Sequence, residues 1–285
     1  MTGWLARLRE APASAWIGIL LILGYAGVAI LAPLLAPFPE TAIVGPQYHP
    51  WTAPHYLGTD ALGRDVLSRL IWGARNTVGI ALVTTALAFL IGTTMGFLAA
   101  TVGGHVDAVS SRMVDVLMAI PSLIFALLIL TITGTSILAL ILVIAVLDST
   151  RVFRLSRAVA QGIIPLDYIE VARMRGEGLF WIIRREILPN AAAPLIAEFG
   201  LRFCFVFLFI ASLSFLGLGL QPPTADWGSM VRESAKLIAF ANFGSWQTAT
   251  FGLAPLLPAG AVALLTVAVN LVVDWILTIA SGLKE

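Results

Sequence analysis

Between Ala11 and Pro39 the chain carries no charged residue, and there is none between Val116 and Leu147. As one helix the second run would measure about 48 Å at 1.5 Å per residue. That exceeds a hydrocarbon core of about 30 Å. A soluble fold needs a charged surface around its core, and this chain has little with which to build one. Of its residues 59% are apolar and only 12% charged, about half the charged share of an ordinary soluble domain. Lipid as solvent removes the difficulty. The first run is also far longer than the apolar core of a cleavable leader, about 7–15 residues, so it is predicted to stay as a membrane anchor.

Hydropathy and punctuation predict an all-α integral membrane protein with six transmembrane helices, at about 15–35, 77–101, 111–131, 137–156, 193–217 and 251–275. Ala36-Pro37-Phe38-Pro39 ends the first. The polar cluster Thr131 to Ser136 splits the long run into a hairpin. Gly92 and Gly96 stand at a spacing that admits a close neighbouring helix, read here as packing. Residues 57–71 are expected to form a short amphipathic helix outside the membrane. Residues 1–75 are read as an N-terminal helix plus an outer segment, and 76–285 as a five-helix core.

Orientation follows from Lys and Arg. With both ends cytoplasmic, the inner segments hold 11 of the 17 basic residues and the outer ones 5, Arg202 lying within span five. Seven arginines fall in 151–190 alone: Arg151, Arg154, Arg157, Arg173, Arg175, Arg184 and Arg185. Within this segment Pro165 opens a predicted helix, with Asp167 and Glu170 at its positive end. Gly176-Glu177-Gly178 interrupts, and a second stretch, Leu179 to Leu188, is expected to end at Pro189. A basic loop obeying the positive-inside rule has the same composition, so periodicity leaves both readings open.

Glu170-Val171-Ala172, then Gly176, then Ile187-Leu188-Pro189 resembles the EAA motif of permease subunits in binding-protein-dependent ABC importers. Leu57 to Asp60 and Leu62 to Arg69 resemble the dipeptide/oligopeptide/nickel branch, C-type subunit. Gly103 to Asp107, Arg112 to Asp115 with Ile120-Pro121-Ser122, Leu213 to Gly219, Pro222-Pro223 and Asp226-Trp227-Gly228 do so in the same order. Departures are Glu177-Gly178 in the coupling segment, Val273 near the end of span six, and the tail after Asp274.

The resemblance implies a type I importer permease fold in a bacterial or archaeal cytoplasmic (inner) membrane. It implies ATPase coupling through Glu170, Val171, Ala172, Arg173, Gly176, Leu188 and Pro189 at 165–190. Its implied partners are a second permease subunit, two ATP-binding subunits, a periplasmic or lipid-anchored substrate-binding protein and membrane lipid. No cofactor is expected on this chain, ATP and magnesium belonging to the ATPases. Peptides are the first expected cargo, with nickel complexes, glutathione, opines or oligosaccharides as alternatives.

Other classes are disfavoured. A P-loop needs lysine after glycine, but Lys236 follows Ala235 and Lys284 follows Leu283. The net charge of +1 gives no reason to expect nucleic acid. His49, His55 and His105 lack metal-ligand spacing, so no metal site is expected. Cys204 reads as a small hydrophobe. An ion-coupled carrier would need midplane acids or broken helices. Ala172 and Gly176 are placed on one helix face. Glu198 and Arg202 can pair or serve the pathway, and Asp148, Asp115 and Asp274 are read as span-end acids. Residues 38–75 and 218–250 are read either as a binding-protein surface or as packed on each other. Trp227 and Trp246 are read as interfacial.

Overall fold

The computed structural model describes residues 11–241 and 245–281. The basic residues Arg7, Arg9 and Lys284, on which the orientation argument leans, lie outside the described residues. The elements are helices, in the order α1 (Ala13–Leu35), α2 (Val66–Gly73), α3 (Gly79–Val102), α4 (Gly104–Ala119), α5 (Ser122–Thr133), α6 (Ile137–Ile163), α7 (Asp167–Met174), α8 (Leu179–Ile182), α9 (Leu188–Phe215), α10 (Trp227–Ala235), α11 (Trp246–Leu253) and α12 (Leu256–Ser281). Single π turns join α2 to α3 at Ala74–Val78 and α8 to α9 at Ile183–Ile187.

Four helical runs are long and apolar enough to cross a membrane, at Ala13–Leu35, Val66–Val102, Leu179–Phe215 and Ala249–Ile279, and α4 with α5 makes a fifth if the bent pair is one span. The straight third span expected at 111–131 is not what forms. Pro121 follows an extended Ile120, and the two helices meet at 87°. A residue before proline is pushed out of the helical region, which is the local cause. α6 is long enough to cross but carries Asp148, Arg151, Arg154 and Arg157. It runs on to Ile163 because Arg157 pairs with Asp107 and Arg154 pairs with Asp115 at 2.6 Å, tying it to α4.

The amphipathic helix expected within 57–71 begins only at Val66, where Asp65 caps the Ser68 amide at 2.8 Å. Residues 57–65 form turns instead. Gly58 and Gly63 have φ of +73° and +77°, and a Cβ on either would strike a backbone oxygen, at 2.4 and 2.2 Å. These conformations favour glycine.

The described residues of 38–75 and 218–250 pack on each other, as one of the two sequence readings had it. Asn76 donates to Glu40 at 2.8 Å and to the Ala225 carbonyl at 2.9 Å, and Glu40 accepts the Ala225 amide. Trp227 is buried rather than interfacial. It donates to the Leu70 carbonyl at 2.9 Å and stands edge-on to Tyr25 and Phe207. Gly73 makes room for it, since a Cβ there would lie 2.7 Å from the indole. The side chain of Trp246 lies outside the described residues. Trp227→Ala is expected to cost roughly 3–5 kcal/mol, read as a lower midpoint for heat-induced loss of the monodisperse peak in detergent. An unchanged midpoint would mean that other contacts hold these two segments.

Helices α3 and α6 approach closely. A Cβ on Gly92 would lie 2.6 Å from the Ser149 carbonyl, and one on Gly96 would lie 2.7 Å from that of Phe153. The small-residue spacing therefore serves packing. α1 lies on α12, with Gly18 against the Ala268 carbonyl and the Tyr25 hydroxyl donating to that of Ala261 at 3.1 Å.

Candidate functional site

Between α6 and α9 the basic segment folds as two short helices, its first three arginines lying in α6. α7 starts from an extended Leu166, with Asp167 and Glu170 in its first turn, where carboxylates favour the positive helix end. It ends in a paired C-terminal closure. The Gly176 amide donates to the Arg173 carbonyl at 2.9 Å and the Glu177 amide to that of Ala172 at 3.1 Å. This closure requires a left-handed residue, and Gly176 supplies it at φ +78°. The predicted glycine elbow is therefore present, for a backbone reason.

One face of α7 belongs to the protein's own core. Ile169 and Ala172 are fully buried and cluster with Phe97, Ile163, Ile182 and Ile187. The opposite face is bare. Glu170 is exposed, and so are Val171 at 47% and Met174 at 74%, with Phe180 at 73% on the neighbouring helix. Such a helix is held rigidly from behind and presents mixed polar and apolar groups in front.

The structure sorts the predicted coupling residues accordingly. Glu170 and Val171 are on the outward face, and Arg173 is exposed on its flank. Ala172 faces inward. It shares no face with Gly176, because α7 ends at Met174 and Gly176 lies beyond it. Nothing lies within 4 Å of a Cβ built on Gly176. Leu188 and Pro189 are exposed, but the helix does not stop there as expected. Pro189 has no amide for the Arg185 carbonyl, and the wider π turn just before it absorbs the mismatch, so Leu179 to Phe215 is one run. Met174 and Phe180 were missed. Reading Ile169 and Ala172 as an inner stripe would have placed Met174 opposite them.

Arg175 lies 5.8 Å from the centre of the Trp181 ring, a cation–π distance. Four more arginines of the segment divide by partner. Arg154 and Arg157 are paired to α4, while Arg184 and Arg185 are exposed beside α9.

A second charged group lies deeper. Arg202 meets Glu198 at 2.8 Å, as the spacing predicted. It also reaches Asp148 at 3.5 Å. Asp148 is not a span-end acid free to meet water. Its residue is 2% exposed, held between α6 and α9, and its second carboxylate oxygen has no hydrogen-bond partner. Arg151 stacks on Phe205 at 4.3 Å, and the Arg202 guanidinium approaches the same ring at 5.4 Å.

Residues 92–281 match the family described as binding-protein-dependent transport system inner membrane component. The dipeptide transport system permease protein DppC of Haemophilus influenzae is 34% identical over 236 residues, 80% of each chain. The di/tripeptide transport system permease protein DppC of Pseudomonas aeruginosa is 33% identical over 269 residues, 90% of this chain and 84% of its own. The glutathione transport system permease protein GsiD of Pectobacterium atrosepticum is 33% identical over 183 residues, 64% of this chain and 61% of its own. The matched stretch contains the basic segment, the broken helix and both sides of the Asp148–Arg202 contact, and on this evidence the chain belongs to the family of inner membrane components of binding-protein-dependent transport systems.

Proposed function

We propose that this chain is one of two permease subunits of an ATP-driven importer of short peptides, and that 165–190 is where it is coupled to the ATPases. The observation that carries the reading is the two-faced α7. Its inner face is locked into the fold by Ile169 and Ala172, and its opposite face, Glu170, Val171 and Met174, is left exposed by the described residues. A rigid lever needs both properties, because motion at the bare face must reach α6 and α9 without being lost in a flexible loop. Arg173 flanks the same surface, Leu188 and Pro189 are exposed at the start of α9, and Gly176 shapes the surface through the backbone.

In this reading the chain crosses the membrane six times with both ends cytoplasmic. The turns at Gly103–Gly104 and 164–178 lie inside, and those at 134–136 and 217–226 lie outside. The count takes α4 with α5 as one crossing and adds α6. Two ATP-binding subunits carrying ATP and magnesium supply the energy. A second permease forms the other half of the pathway, and a binding protein delivers cargo to the outer segments. Peptide cargo is supported by the similarity to permeases named for the transport of dipeptides, di- and tripeptides and glutathione.

The test is a pull-down of the tagged chain from native membranes in mild detergent, followed by mass spectrometry. A second permease and P-loop ATPases should co-purify. Repeated recovery of the chain alone as a homo-oligomer would sink the reading. A broken helix beside buried charges is also what ion-coupled carriers use. Uptake that survives ATP removal but fails with an ionophore would move the chain to that class.

A further inference from the structure

We propose that the cavity at the break between α4 and α5 is a transient site for the charged ends of a short peptide on its way across the membrane, an inference that rests on the importer reading above. The cavity holds about 330 Å³. That is at the small end of ligand pockets, about 300–1,000 Å³, so it suits a dipeptide-sized solute better than a long chain. Its walls are Pro121 and Leu123 at the break, Phe205 and Phe209 from α9, and Asp148 and Arg151 from α6.

Depth follows from the proposed topology, in which the turn at 134–136 lies at the outer face. α5 and α6 are joined by a short turn at 134–136. Ser122 lies eleven residues from the α5 end of that turn and Asp148 eleven from its α6 end. At 1.5 Å per residue both are about 16 Å from the turn, roughly half of a hydrocarbon core. The break, the acid and the cavity thus share one level near the middle of the membrane.

The electrostatics at that level favour a zwitterion. Asp148 and Glu198 are balanced by Arg151 and Arg202, so a net charge on the guest would be uncompensated in a medium of low dielectric. Within the balance two groups that line the cavity are left with capacity. One Asp148 oxygen, buried, has no hydrogen-bond partner, and it accepts from an ammonium group. Arg151 pairs with no carboxylate among the described residues, and its guanidinium lies over Phe205. Its planar fork suits a carboxylate. The first amides of α5 have no side-chain cap and add partial positive charge on the same wall. A small adjustment of Asp148 towards the cavity, away from its 3.5 Å contact with Arg202, would complete the ammonium side.

The complete importer, with its ATPases and binding protein, is reconstituted in proteoliposomes and given tritiated dialanine. p-Benzoylphenylalanine is placed at Leu123 in the cavity wall, or at Leu20 on the exposed side of α1 as a control. During ATP-driven uptake, illumination should label the Leu123 chain at least tenfold more than the Leu20 chain. Adding Asp148→Asn or Arg151→Gln to the Leu123 chain should cut the label at least fivefold in complexes that elute as assembled. Uptake without label at Leu123, or label that neither substitution changes, overturns the proposal while leaving the importer reading intact. Absence of any dialanine uptake by the natural complex overturns the peptide reading on which it rests.

Discussion

Gly92→Leu is expected to leave almost no monodisperse protein in detergent, and Gly96→Leu the same. The reason lies in what surrounds the two positions. A Cβ on Gly92 would sit 2.6 Å from the Ser149 carbonyl oxygen and 2.9 Å from the Phe153 amide. One on Gly96 would sit 2.7 Å from the Phe153 oxygen and 3.0 Å from the Arg157 amide. These are backbone atoms of α6, and no rotamer change moves them. α3 and α6 would have to separate along their length. That separation would also strain the pairing of Arg157 and Arg154 to α4. Overpacking typically costs about 1–3 kcal/mol when neighbours can shift, and here they cannot. Alanine gives a graded version of the test. Gly92→Ala should lower the heat midpoint. Gly79→Ala, on the same helix with nothing within 4 Å of its Cβ, should leave it unchanged or raise it, since alanine is favoured over glycine in a helix by about 1 kcal/mol. Equal midpoints for the two alanine variants would show that the close approach contributes nothing.

What the sequence made legible was mostly local. The uncharged run and its flanking prolines placed α1 at 15–35, and it spans Ala13–Leu35. The glycine elbow at Gly176 was readable because a positive φ leaves a residue-type signature. The break at Ile120-Pro121 was equally readable from proline chemistry, yet apolarity alone suggested a straight span across it. Hydropathy also ended span four at about 156, because arginine counts against a helix in lipid. The partners that carry α6 to Ile163, Asp107 and Asp115, lie about 40–50 residues away in sequence. The hardest features to read were those made by folding. Asp148 and Arg202 are 54 positions apart, and nothing in either neighbourhood announces the other. Trp227 reads as interfacial by residue type, and only the space opened by Gly73 shows that it is core. Ala172 illustrates the ambiguity of a small residue. Smallness suits docking outward and packing inward equally well, and the identity of Ile169 beside it is what decides.

Val171→Asp combined with Met174→Asp is expected to abolish ATP-driven uptake while the chain still inserts and assembles with its permease partner. Both side chains stand on the bare face of α7, 47% and 74% exposed, so neither holds the fold and a carboxylate at either position remains solvated in the isolated chain. Against an ATPase surface the same carboxylates would be desolvated. Truncating an interface centre costs about 2–4 kcal/mol, and each 1.4 kcal/mol is about tenfold in affinity. The ATPases should therefore dissociate roughly 30- to 1,000-fold more readily, and should vanish from a pull-down that still recovers the second permease. Gly176→Asp is a less discriminating change, although it too should stop transport. Its φ of +78° makes any side chain strain the closure of α7, by roughly 1–2 kcal/mol, so loss of activity there mixes altered shape with altered contact. Ala172→Asp is worse still, since it would bury a charge beside Ile169 and Ile187. Normal uptake and normal ATPase recovery by the Val171 and Met174 double variant would mean that α7 is braced for some other task. The coupling surface would then have to be sought along the exposed side of 179–189, where Phe180 and Leu188 also face outward.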